Sequence, residues 1–175
     1  MLYVVRFFPE MTVKSRPVRM RLVKALRRNL RIILQRLDEK ISVVGNWDIL
    51  EVDTGDLDQA LESGVLDALL STPGISVVRP VEKLPLPESI DEIAESVLLH
   101  YRGALAGKTF VVRCKRTGTH DYSSGDIERQ VGGYLLHNSD AKGVDLINPE
   151  ITVRVEIRHK VLYVVKEQIL SLIHI

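Results

Sequence analysis

From Phe110 to Gly133 the chain reads Phe-Val-Val-Arg-Cys-Lys-Arg-Thr-Gly-Thr-His-Asp-Tyr-Ser-Ser-Gly-Asp-Ile-Glu-Arg-Gln-Val-Gly-Gly. An apolar strand at 108–115 delivers Lys115 and Arg116 into a polar loop at 116–123. The loop ends on Ser123 and Ser124, where a helix to about residue 137 is expected. Free backbone N–H groups at a helix start attract anions, and serine hydroxyls and a flanking Lys/Arg pair reinforce that attraction. A phosphate or a 3′ nucleotide end fits such a place, with His120 and Tyr122 as rings on which bases stack and Arg129 one turn further on. The competing reading is a loop that caps its own helix, with Ser123 or Ser124 as N-cap and Asp126 or Glu128 closing a capping box. The two are compatible, because capping residues also present N–H groups. Gly132 and Gly133 are read as conformational, permitting close backbone approach or ending the helix.

Catalysis by the chain itself finds little support in its residue types. The histidines are His100, His120, His137, His159 and His174, and none pairs with another at metal-ligand spacing beside an acid. Asp121 follows His120, but neighbours in a loop usually point apart. Asp126 and Glu128 read as helix-start acids and partners of Arg129. The one cysteine, Cys114, excludes an internal disulfide or a multi-cysteine metal site and reads as a small buried hydrophobe in a strand. No catalytic residue and no metal ligand is therefore assigned.

A second set of cations lies at the front of the chain. Residues 1–36 hold ten basic side chains and one acid, Glu10, a net charge of +9, against −8 for the remaining 139 residues. A basic block ahead of an acidic remainder suggests one face made for a polyanion, although a solvated helix balanced by distant acids has the same composition. Ser15 and Pro17 signal a helix start, and the helix is expected to reach about Leu37. Val18, Leu22, Leu26, Leu30, Ile33 and Leu37 repeat at helical spacing and predict its buried stripe. Arg21, Lys24, Arg27, Arg28 and Arg31 cluster opposite. Arg19 falls in the apolar arc and must either snorkel or point at a ligand. Lys14, Arg19 and Arg21, near the helix start, join Lys115, Arg116, His120, Ser123, Ser124 and Arg129 as expected RNA-contacting residues.

The elements that carry these residues follow from periodicity and punctuation. A strand is expected at 2–8, ended by Pro9 and followed by a loop to Lys14. Residues 41–45 and 48–53 read as a hairpin turning near Gly45-Asn46-Trp47. A helix at 57–71 stops at Thr72-Pro73-Gly74, and a strand at 75–82 follows. The order β-α-β-β-α-β is the ferredoxin-like split βαβ unit. Lys83-Leu84-Pro85-Leu86-Pro87 reads as a linker. Ser89 caps a helix at 90–102, and strands at 151–157 and 161–166 complete a second, mixed α/β unit.

Composition agrees with folded, soluble material: 45% hydrophobic and 27% charged residues supply a core without a membrane-length apolar run. The N-terminal apolar stretch is too short for a signal-peptide core, so a cytoplasmic location is expected and no membrane partner.

The stretch at 110–133 resembles a THUMP domain, in particular that of the bacterial tRNA sulfurtransferases, or tRNA 4-thiouridine synthetases. It follows F-x-V-R-x-K-R-x-G-x-H-x-[FY]-S-S-x-D-[IV]-E-R-x-V-G-G almost without interruption. Phe7-Phe8-Pro9-Glu10-Met11-Thr12-Val13-Lys14-Ser15 with Val18-Arg19-Met20-Arg21 is similar to that family's opening. Asn46-Trp47-Asp48, Thr72-Pro73-Gly74-Ile75 and Asn148-Pro149 match as well, and the resemblance extends from residue 1 to about 165.

The resemblance implies an α+β chain: an N-terminal ferredoxin-like domain at 1–82, then a mixed α/β THUMP domain at 83–166. In that family the two grip the tRNA acceptor end with its 3′ CCA. A later ATP-pyrophosphatase domain, marked S-G-G-x-D-S, adenylates a uridine with ATP and Mg, and sulfur arrives as a persulfide from a cysteine desulfurase. The family also feeds sulfur into thiamine thiazole synthesis. Here no S-G-G-x-D-S occurs, and no cysteine stands in a persulfide position. The expectation is a tRNA-binding portion without the catalytic domain, binding no cofactor and inactive alone, with a truncated or artefactual tail at 167–175. A rhodanese-like domain in the parent protein and a homodimer are left open. The alternatives are the THUMP module of another tRNA-modifying enzyme, such as a methyltransferase, or a ferredoxin-like small-molecule regulatory domain.

Overall fold

In the computed structural model, residues 1–166 and 169–170 are described. The chain divides between Val81 and Glu82 into two compact units.

The first unit follows the ferredoxin-like order. β1 (Leu2–Phe7) leads through a four-residue helix α1 (Pro9–Thr12) to α2 (Arg16–Leu34); the hairpin β2 (Ser42–Gly45) and β3 (Leu50–Asp53) leads through α3 (Gln59–Leu70) to β4 (Ile75–Pro85). The sheet runs β2-β3-β1-β4, antiparallel throughout, with Gly45 opposite Leu50 across the hairpin and Tyr3 between Val52 and Pro80. Tyr3, Val5 and Phe7 of β1 point to one face because strand side chains alternate, and they meet Leu30 and Leu34 of α2 and Val65 and Leu69 of α3. Leu30, Leu34, Val65 and Leu69 lose essentially all contact with water. Each burial contributes roughly 1.5–3 kcal/mol before entropy is counted.

Three expectations for this unit need correction. The segment after Pro9 is helical to Thr12, closed by the Thr12 hydroxyl donating to the Pro9 carbonyl at 2.8 Å. The buried stripe of α2 is Val23, Leu26, Leu30 and Leu34, whereas Val18, Leu22, Ile33 and Leu37 are exposed. Two overlapping sets of apolar residues satisfy the 3.6-residue period, and the position of the sheet selects the second. Ser15 stands at the N-cap of α2 without a capping hydrogen bond from its side chain, so Pro17 in the first turn is the stronger start signal.

The second unit begins inside β4, because the residues expected as a linker continue that strand to Pro85. α4 (Ile90–Leu105), β5 (Thr109–Thr117), α5 (Ser124–Asn138), the two-residue β6 (Gly143–Val144), β7 (Ile151–Arg158) and β8 (Val161–Val165) follow. Among them the strand order is β8-β7-β5-β6. β5 is parallel to β7 and β6, and β7 is antiparallel to β8. Phe110, Val112, Val153, Val155 and Ile157 from the sheet pack on Ile93, Val97 and Leu105 of α4 and on Ile127, Val131 and Leu135 of α5. Ser89 Oγ accepts from the Glu92 N–H at 3.2 Å and starts α4.

The tail expected at 167–175 lies largely outside the described residues. Ile169–Leu170 form a short strand, β9, whose backbone pairs antiparallel with Val77 and Val78 of β4.

Candidate nucleic-acid interface

In the second unit, parallel pairing of β5 with β7 carries Lys115 and Arg116 to the end of the sheet, beside the 118–123 loop. Gly118 makes the turn possible. Its φ is +109°, and a Cβ there would stand 3.0 Å from His159 Nδ1 and 3.2 Å from His159 Cα. Only glycine meets both demands. The loop folds back onto the β7–β8 turn, where His159 has a φ of 52° and donates its N–H to the Thr117 carbonyl at 2.8 Å.

Arg116 and His120 hold each other there. Arg116 Nη1 donates to the Gly118 carbonyl at 3.0 Å and lies 3.1 Å from His120 Nδ1. A guanidinium only donates, so Nδ1 accepts and the ring proton is on Nε2. From Nε2 it is donated to the His159 carbonyl at 2.7 Å. Tyr122 stacks on the same imidazole, with centroids 5.4 Å apart and planes 17° from parallel. Arg116 thus fixes the loop and is only partly exposed, whereas Lys115, on the alternate face of β5, is exposed. His120 and Tyr122 form a preassembled aromatic pair and not two separate rings.

The start of α5 is a complete capping box. Ser123 Oγ accepts from the Asp126 N–H at 3.1 Å, and Asp126 Oδ2 accepts from the Ser123 N–H at 2.8 Å. The Ser123 N–H, and after it the Ser123 hydroxyl donating to the same Oδ2 at 2.7 Å, hold the Asp126 carboxyl below the usual carboxylate range. Arg129 Nη2 donates to Asp126 Oδ1 at 3.1 Å while its side chain stays mostly exposed. Burial, together with the nearby Glu128 carboxylate, pushes the Cys114 thiol up to about 11. Ser123 is the N-cap, and Ser124 is the first, half-buried residue of α5.

Two readings change. Glu128 is not a partner of Arg129. It accepts the Cys114 N–H at 2.9 Å and so satisfies a donor on the β5 edge beyond the short β6. Gly132 and Gly133 do not end the helix, which continues to Asn138. A Cβ on Gly132 would make ordinary contact with Val112 at 3.8 Å, and one on Gly133 would meet nothing within 4 Å.

In the first unit, Lys14 is exposed between α1 and α2, and Arg21 is exposed on α2. Arg19 neither snorkels nor stands free. It continues the buried stripe of α2 by one turn and reaches the β2–β3 turn. Its Nη2 pairs with Asp48 Oδ1 at 3.3 Å, Nη1 donates to the Thr12 carbonyl at 3.4 Å, and the guanidinium carbon lies 4.6 Å from the Trp47 ring centre. Arg27 and Arg31, expected on the solvent arc, flank the stripe and donate to the Gly45 and Val43 carbonyls at 3.1 and 3.0 Å. They fix α2 over β2. The expected site residues therefore form two sets, Lys14, Arg19 and Arg21 in one unit and the other six in the second.

Sequence reasoning missed His159, whose carbonyl anchors His120, and Trp47, which it used only as a turn marker. A two-residue turn between strands announces itself, but nothing local shows that its carbonyl meets residue 120. Among the described residues no helix is long and apolar enough to cross a membrane, and no group of three or more His, Cys, Asp or Glu could hold a metal ion.

Residues 87–166 match the THUMP domain family. The chain is 44% identical over 165 residues to the tRNA sulfurtransferase of Pseudomonas putida, covering 94% of this chain and 34% of that protein. It thus spans about a third of the length of the curated relatives it matches. Its fold is similar to that of PH1313 from Pyrococcus horikoshii, with a TM-score of 0.79 and 25% identity over 97% of this chain and 55% of that one. It is also similar to the fold of a 4-thiouridine synthetase solved with RNA and ATP, at a TM-score of 0.70 and 19% identity, covering 97% of this chain and 42% of that one.

Proposed function

We propose that this chain, which matches the THUMP domain family over residues 87–166 and spans about a third of the length of the tRNA sulfurtransferases it resembles, is the tRNA-binding portion of an enzyme that makes 4-thiouridine in tRNA. Its task is to grip the acceptor stem and the 3′ CCA end so that a catalytic domain beyond this sequence receives the target uridine. The observation that carries this reading is the juxtaposition in the second unit of Lys115, the Arg116-anchored His120–Tyr122 stack and the capped start of α5. Cations neutralise phosphates, and aromatic faces take unpaired bases in any sequence, which suits a single-stranded terminus.

The parent enzyme, on the same reading, uses ATP and Mg in its catalytic domain and takes persulfide sulfur from a cysteine desulfurase. It supplies sulfur to thiamine thiazole synthesis as well and works in the cytoplasm. The chain's own residues bind and orient RNA and perform no covalent step, so alone it is inactive as a transferase.

The test is fluorescence anisotropy of an intact tRNA, and of the same tRNA lacking its 3′ CCA, titrated with this chain at two salt concentrations. Tighter binding of the intact tRNA supports a grip on the acceptor end. Equal, steeply salt-dependent binding of both makes the chain a general polyanion binder and overturns the reading.

A further inference from the structure

A groove of about 440 Å3 lies in the first unit between α2 and the β2–β3 turn, lined by Met20, Arg21, Lys24, Arg27 and Trp47 over a floor that includes the buried Val23. Its side chains are an unusual mixture for a surface depression. Trp47 is the chain's one tryptophan and leaves 46% of its surface open to solvent. Arg21 and Lys24 are exposed on α2, and neither has a hydrogen-bond or ion-pair partner among the described residues.

The indole is not loosely placed. Asn46 Oδ1 accepts from the Asp48 N–H at 2.9 Å, and the Asn46 N–H donates to the Ile49 carbonyl at 3.1 Å, which closes the turn. Gly45 enters it at a φ of +146°, where a Cβ would stand 2.3 Å from the Ile49 carbonyl oxygen. The Arg19 guanidinium, itself tied to Asp48 and Thr12, covers one face of the indole. A cation on one face of an immobilised indole leaves the other as a rigid stacking surface, which lowers the ordering cost of a ring laid on it.

We propose that this groove takes one unpaired nucleotide of the bound RNA, its base stacked on Trp47 and its flanking phosphates on Arg21 and Lys24. Charge complementarity selects that occupant. The groove opens in the segment of net charge +9, where an anionic backbone gains and a cationic or neutral peptide does not. An aromatic platform beside cations is the arrangement that holds single-stranded nucleic acid without reading its sequence. The site rests on the RNA-binding function proposed above and adds a contact separate from the β5–α5 loop.

Because Trp47 is the sole tryptophan, its emission reports this groove alone. The 175-residue chain is titrated with intact tRNA while tRNA anisotropy and tryptophan emission are followed together. The expected result is saturable quenching that tracks the anisotropy. Trp47→Phe should keep most of the affinity, and Trp47→Ala should lose roughly 5- to 150-fold, the range for one stacked base. Quenching in the wild-type chain is read independently of whether a variant folds. If tRNA binds while Trp47 emission stays constant and Trp47→Ala binds as tightly, the groove is not a nucleotide site, and the RNA-binding function stands. If no tRNA binds at all, both are overturned.

Discussion

Arg116 Nη1 lies 3.1 Å from His120 Nδ1, and that contact decides both the tautomer of the ring and the shape of the loop that carries it. Arg116 and Lys115 are neighbours in sequence but have different tasks. Lys115→Ala should weaken tRNA binding and flatten the plot of log affinity against log salt by about 0.7–0.9 for one lost phosphate contact. Arg116→Ala should weaken binding with a smaller change in slope, because it releases the loop. Titrations at four salt concentrations check this. Equal slope changes would make Arg116 a phosphate ligand.

The tautomer is itself measurable. Long-range 15N correlation spectra of the free chain should show His120 protonated on Nε2, since Nδ1 faces a guanidinium that can only donate and Nε2 reaches the His159 carbonyl at 2.7 Å. Arg116→Ala should let the other tautomer appear. An Nδ1-protonated His120 in the unmodified chain would contradict the geometry.

Two kinds of glycine should behave oppositely. Gly118→Ala meets a positive φ and the backbone of His159 together, and should cost on the order of 1–3 kcal/mol in thermal or denaturant unfolding. Gly133→Ala meets open space inside a helix and should stabilise by up to about 1 kcal/mol. If Gly133→Ala nevertheless weakens tRNA binding while raising Tm, close backbone approach of RNA is the reason for that glycine.

The capping box sets a pH dependence. The Asp126 carboxyl is held below its ordinary range, so its contribution is fully present above the unfolded aspartate value near pH ~4 and disappears as pH falls through the lower folded value. Asp126→Asn should therefore be less stable at neutral pH and lose less on acidification, as read by urea unfolding between pH 7 and pH 2. Ser123→Ala should cost about 1 kcal/mol at neutral pH.

Cys114 should resist alkylation. With its thiol pushed up to about 11, the thiolate fraction at pH 8 is smaller by roughly two orders of magnitude than for a free cysteine. The rate with iodoacetamide should rise nearly tenfold per pH unit from 8 to 10, and Glu128→Gln should raise it at fixed pH. A rapid reaction at pH 8 would mean the thiol is exposed.

Local order was legible in the sequence because its causes are local. Short apolar runs placed β5 and β7, Ser89 and Ser123 announced α4 and α5 through caps that close within three residues, and Gly45-Asn46-Trp47 marked a hairpin. The βαββαβ order of the first unit and the polar loop before α5 followed from those signals. The stripe of α2 did not, because two apolar sets share one period and only the sheet beneath can choose between them. Arg19 meeting Trp47 and Asp48, and His120 meeting the His159 carbonyl 39 residues away, arise from chain closure alone. The residue types that bind an anion or stack on a base are written in the sequence. Which of them face solvent and which brace a loop is decided by contacts between segments far apart in the chain, and these exist only once the core has formed.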